Sequence, residues 1–122
     1  MYNVEIKETS MELTGKQRIA MKDTTDAIRL DDATQDGAFS IIPGGYAILS
    51  VHNDKSENPD YEVYVIVDKD GVRYVTGSAS FFSSFINIFN EMKEYDEDYE
   101  LKIYRVESKN YKGKTFITCS IV

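Results

Sequence analysis

The chain has 122 residues and a mass of 13.9 kDa, with 42% hydrophobic and 29% charged residues, which fits one globular domain and excludes a disordered chain. Its formal net charge of −7 argues at first against nucleic acid as a partner. The longest uncharged apolar-rich stretch, residues 79–90, carries five Ser or Asn residues and is far shorter than a bilayer span, and the amino terminus MYNVEIKETS alternates charges where a signal peptide has an apolar core, so a soluble, cytoplasmic protein without a membrane partner is expected.

Along residues 1–38 the signals are weak. Val4 and Ile6 alternate like a short strand, and Leu13, Ile19, Ala20 and Met21 give a possible helix over Thr14–Lys22 an apolar face interrupted by Gly15. The segment DTTDAIRLDDATQDG offers only Ala27, Ile28 and Leu30 as anchors. Residues 1–38 are therefore expected to form an N-terminal arm packing on a core built by residues 39–122.

From Phe39 onward the pattern sharpens. Residues 46–51 (YAILSV) read as a strand, and Pro43-Gly44-Gly45 before it predicts a bulge or bend within a longer strand. After the polar loop HNDKSENPD, residues 61–67 (YEVYVIV) are dense in β-branched and aromatic side chains. Asp70-Gly71 then predicts a type I′ hairpin into residues 72–76. Ser78 or Ser80 can cap the helix that follows, where Phe81, Phe85, Ile88 and Met92, joined by Phe82 and Phe89, recur at helical spacing. Such a stripe is packing material rather than a ligand box. Residues 100–106 and 115–122 close the chain as two more strands, separated by SKNYKGK. The fold class expected is mainly β with one core helix. Three strands, a helix and two strands is the order of an OB-fold, a five-stranded Greek-key barrel.

Catalytic chemistry has little to build on. A single cysteine, Cys119, cannot form an internal disulfide, and with a single histidine, His52, it cannot make a structural zinc site. His52 ends an apolar strand, where a plain surface histidine is the simpler reading than a member of a nucleophilic triad. The 21 acids produce neighbouring carboxylates by chance, and there is no phosphate-binding glycine loop or calcium loop. An enzyme is disfavoured, and no cofactor or metal is expected.

The distribution of charge matters more than its sum. Residues 91–100 (EMKEYDEDYE) hold six acids and one lysine, whereas residues 101–122 hold Lys102, Arg105, Lys109, Lys112 and Lys114 against Glu107 alone. In the strand from Glu100, Leu101 and Ile103 alternate with Lys102 and Tyr104, and in the last strand Ile117, Cys119 and Ile121 alternate with Phe116, Thr118 and Ser120. One face is thus apolar and the other basic and aromatic. Single-stranded nucleic acid is held by a positive groove that tracks the backbone and by flat rings on which bases stack. Tyr64, Tyr74, Tyr104, Tyr111 and Phe116 are the stacking candidates, and Arg73, Lys102, Arg105, Lys109, Lys112 and Lys114 the phosphate contacts. Taken singly, a lysine-rich turn is a solvated hairpin and a strand tyrosine is half-buried packing; the conjunction carries the reading. The acidic run is a solvated helix end or, functionally, a protein-contact patch or a shield that keeps nucleic acid on the opposite side.

YVTGSASFFSSF (residues 74–85), SKNYKGKTFITCSIV (residues 108–122) and KDTTDAI (residues 22–28) resemble small single-stranded DNA-binding proteins of phages infecting Gram-positive bacteria. The resemblance implies an OB-fold and cooperative or multivalent binding of single-stranded DNA in phage replication or recombination, hence a location in the host cytoplasm and work alongside replication or recombination proteins. It favours Tyr104, Lys109, Tyr111, Lys112 and Lys114 as the groove. A homo-oligomer, dimer or tetramer, is expected on size, because one short groove holds few nucleotides and coupled grooves raise avidity. Unlike the better-known bacterial single-strand binders, the sequence given shows no glycine-rich tail with an acidic tip and has no tryptophan. The rival expectation is an acidic inhibitor or nucleic-acid mimic that binds another protein, with the EYDEDYE cluster as its contact.

Overall fold

The computed structural model describes residues 2–122. Its elements are β1 (Tyr2–Thr9), α1 (Gly15–Lys22), β2 (Ile28–Arg29), α2 (Leu30–Ala33), β3 (Phe39–Ile41), β4 (Pro43–Asn53), β5 (Asp60–Asp68), β6 (Arg73–Thr76), α3 (Ala79–Met92), β7 (Leu101–Glu107) and β8 (Thr115–Ile121). The protein is mainly β. Its strands form a five-stranded sheet in the order β1-β4-β5-β6-β2 and a three-stranded sheet in the order β3-β7-β8. The chain divides into two compact units, Met1–Ile28 with Gly44–Gly77, and Arg29–Pro43 with Ser78–Val122.

In the first unit, the alternation of Val4 and Ile6 does what period-two patterning dictates: Val4 pairs with Val51 and Ile6 with Leu49 across the β1–β4 ladder. Met21, Ala47, Leu49, Val51 and Val65 form the buried core, with Val4, Ile6, Leu13 and Val75 among the side chains packed against it. Helix α1 starts at Thr14, whose hydroxyl accepts from the Gln17 N–H (3.2 Å) while the Gln17 amide oxygen accepts from the Thr14 N–H (2.9 Å), a complete capping box. Of its expected apolar face, Met21 is buried but Ile19 lies open to solvent. Gly44 sits where an added Cβ would come 3.0 Å from the Asp68 carbonyl oxygen, a close approach of β4 to the end of β5 that glycine accommodates.

The β5–β6 hairpin forms where Asp70-Gly71 predicted it, but its turn is not type I′. That turn needs a positive φ at both central residues, and here only Gly71 has one (φ 86°). The Asp68 carboxylate accepts from the N–H groups of both Asp70 and Val72 (2.9 Å each), and the Gly71 N–H donates to the Asp68 carbonyl (3.0 Å). The turn is an aspartate-capped three-residue loop with glycine in the left-handed position.

In the second unit, the Ser78 hydroxyl, not that of Ser80, caps α3 by accepting from the Phe81 N–H (3.2 Å). Phe81, Phe82 and Phe85 are buried, and the Phe85 ring stacks against those of Phe81, Phe82 and Phe89. The helix packs on β8. Leu30, expected in an irregular stretch, opens the short helix α2 and is fully buried.

The expected closed five-stranded barrel is not formed. Among the described residues no ladder joins the two sheets, and the long bent strand predicted around Pro43 is two strands, β3 pairing with β7 in one sheet and β4 with β1 in the other. Strand β6 is four residues long and its outer edge is taken by β2, so that edge accepts no further strand.

Candidate nucleic-acid interface

Strands β7 and β8 pair without a bulge from Leu101↔Ile121 to Glu107↔Thr115. This register sorts their side chains into two faces. Lys102↔Ser120, Tyr104↔Thr118 and Val106↔Phe116 share one face, and Ser40 of β3 joins them opposite Lys102. Leu101, Ile103, Ile117 and Cys119 share the other and are buried. Burial alone holds the Cys119 thiol protonated, with its pKa pushed up to about 11.

On the solvent-facing side the Tyr104 and Ser120 hydroxyls are hydrogen-bonded at 2.7 Å, which fixes the tyrosine ring. The Lys102 ammonium lies 5.1 Å from the centre of that ring. Phe116, 44% exposed, extends the aromatic surface toward the loop. Thr118 and Ser120 are members of this face that the sequence reading did not carry as site residues; their parity with Phe116 was the available signal.

The loop 108–114 is closed at its base by the Ser108 N–H donating to the Lys114 carbonyl (2.8 Å), and within it the Lys114 N–H donates to the Tyr111 carbonyl (3.1 Å) while Gly113 takes a positive φ of 82°. Tyr111 projects into solvent, 65% exposed, with the Lys114 ammonium 5.9 Å from its ring centre. Lys109 and Lys112 flank it, both exposed. Each cation lies over one face of its ring.

Arg105 lies on the opposite face, as its parity with Leu101 and Ile103 requires. Its guanidinium donates to the Thr34 hydroxyl (3.0 Å), the Thr115 hydroxyl (3.0 Å) and the Asp31 carbonyl (2.9 Å). These contacts tie α2 to the β7–β8 hairpin. Tyr64, Arg73 and Tyr74 belong to the other unit. Tyr64 is buried and its hydroxyl donates to Glu62 (3.2 Å). The Arg73 guanidinium donates to the carbonyls of Ala20 (2.6 Å) and Asp23 (2.7 Å), capping the end of α1. Tyr74 is half-buried, and that burial raises its hydroxyl pKa, with Asp68 and Asp70 adding to the effect. The register thus gathers Lys102, Tyr104 and Phe116 with the loop residues Lys109, Tyr111, Lys112 and Lys114, and leaves the other four elsewhere.

His52 is held between two carboxylates, Nδ1 to Asp60 and Nε2 to Asp54, both at 2.6 Å. Ring nitrogens that point apart suit a proton at each, not one shared metal ion. Residues 91–100 run from the end of α3 to β7 with all six acids exposed.

Comparison with known proteins adds no relative: no family model, no curated protein and no solved structure matches this chain. None of the helices among the described residues is long and apolar enough to cross a membrane.

Proposed function

We propose that this protein binds single-stranded DNA with little sequence preference, through the solvent-facing side of the β7–β8 hairpin and the lysine loop at its tip, and that it serves phage DNA replication or recombination. The observation that carries the reading is the β7–β8 register, which presents Lys102, Tyr104 and Phe116 on one face continuous with the loop of Lys109, Tyr111, Lys112 and Lys114. Rings supply sequence-tolerant stacking, about 1–3 kcal/mol per base, and the lysines neutralise phosphates. We read the fold as an opened relative of the OB-fold. Its support is the order of pairings: β4, β5 and β6 are consecutive neighbours in one sheet, and β7 returns to pair with β3, the segment just before β4 in the chain. One hairpin face holds few nucleotides, so coupling through a second copy raises avidity without new contacts.

The test is a titration of labelled oligo-dT about 30 nucleotides long, with duplex DNA alongside, from low to high salt. Single strands should bind more tightly than duplex. For four lysine contacts, log K should fall with log salt at a slope near −3. The double substitution Lys112→Glu with Lys114→Glu should weaken binding at least tenfold at low salt and flatten the slope. No binding at low salt would discard the reading. The exposed acids of residues 91–100 would then favour the acidic mimic, a binder of another protein's DNA channel.

A further inference from the structure

Four strand edges end the two sheets, and three are guarded in the ways proteins guard edges. Strand β1 carries Glu5, Lys7 and Glu8 and a register break between Ile6 and Glu8. Strand β2 has two residues, and β3 has three and runs into Pro43. Strand β8, against which α3 packs, carries none of these in its own sequence: seven residues, Thr115–Ile121, with no charge, proline, glycine or bulge. The Ser108–Lys114 and Glu100–Val122 backbone bonds set the hydrogen-bonding phase of the β7–β8 ladder. They leave the N–H and C=O groups of Ile117, Cys119 and Ile121 pointing away from β7.

The edge is also complementary to itself. Reversed about Cys119, residues 116–122 (FITCSIV) place Phe116 opposite Val122, Ile117 opposite Ile121 and Thr118 opposite Ser120. Each apolar residue then meets an apolar one and each polar a polar one. This register is compatible with a two-fold axis normal to the sheet, and it puts the outward-pointing residues in the hydrogen-bonded positions. The apolar surface beside the edge agrees: Phe116, Ile121 and Val122 are 44%, 48% and 74% exposed, and Ile121 lines a groove with Ile88 and Met92 of α3. No charged side chain lies in 115–122 to oppose its copy.

We infer that β8 is the dimer interface of this protein, pairing antiparallel with the partner's β8 about Cys119 to join two three-stranded sheets into one of six strands. The proposal stands independently of DNA binding, and its test uses none. Light scattering on the full chain, across a concentration series, should give twice the mass of one chain. Hydrogen exchange should show the amides of Ile117, Cys119 and Ile121 protected in the dimer and faster on dilution. Ile121→Pro removes an outward N–H without touching the β7 ladder, so it should raise the dimer dissociation constant at least tenfold. Ile121→Thr, which keeps the N–H and the branched shape, should stay dimeric where the proline variant is not. Thr118→Lys, which brings like charges close across the axis, is a second disruptor should the proline variant fail to fold. A single-chain mass at all concentrations overturns the proposal. So does an oligomer whose three outward amides exchange freely, because its interface lies elsewhere.

Discussion

His52 is the residue whose behaviour follows most directly from its neighbours. Its hydrogen bond to Asp60, then that to Asp54, raises its pKa above the ordinary 6.5, against a smaller opposing effect of desolvation. A histidine pKa raised by folding stabilises the native state fully below the unfolded value, and that contribution disappears as pH rises through the folded value. A proton NMR titration should therefore place the His52 midpoint above 6.5, and His52→Gln should flatten the stability profile in the window just above it. A midpoint at or below the ordinary value would show that the two carboxylates do not hold the ring in solution. Arg105 teaches a different lesson at the same scale. Composition counts it with the lysines, but parity within β7 and four hydrogen bonds to Thr34, Thr115 and Asp31 make it a structural tie.

Helices α1 and α3 show how far a periodic pattern carries at the scale of the element. Ser78, one of the two serines the sequence offers as a cap, caps α3, and α1 begins at a Thr14 capping box that its weak pattern did not announce. The phenylalanine stripe of α3 is dense enough that its burial was legible from spacing alone, whereas the thin apolar face of α1 left open which of its residues go inside. Phe85, 1% exposed and stacked on three rings, should cost about 3–5 kcal/mol when truncated to alanine. Ile19→Ala, at a site 72% exposed, should change stability by no more than about 0.5 kcal/mol. Chemical denaturation of the two variants distinguishes them, and equal losses would mean that α1 is buried against something in solution. The hairpin at Asp70-Gly71 belongs here too. Its position was legible, but its turn type depended on the Asp68 carboxylate, which no dipeptide rule includes.

For the whole molecule, an acidic protein can present a basic hairpin because fields are local in salt: the Debye length is about 8 Å at physiological ionic strength. The six acids of residues 91–100 lie before β7 in the chain and are exposed, so at low salt they oppose any phosphate held by the hairpin. Replacing Glu94, Asp96 and Glu97 by their amides should tighten oligo-dT binding several-fold at low ionic strength, with the gain fading as salt is added. A gain that persists at high salt would point to direct contact between the acidic run and the DNA. The same distribution accounts for the expected preference for single strands over duplex, since stacking on Tyr104, Tyr111 and Phe116 needs unpaired bases.

Much of the local structure could be read before any coordinates. The density of β-branched and aromatic residues located β5, alternation the two faces of β7 and β8, phenylalanine spacing α3, and the run SKNYKGK the loop that closes the hairpin. Those features depend on residues two to four positions apart, where backbone geometry dictates which side chains share a face. Which strands become neighbours was decided by tertiary structure. The separation of β3 from β4 at Ile42, and the edge of β6 taken by Ile28 and Arg29, are pairings between segments distant in sequence. No periodicity encodes them; they follow from which edges are long enough, apolar enough and unoccupied when the chain collapses.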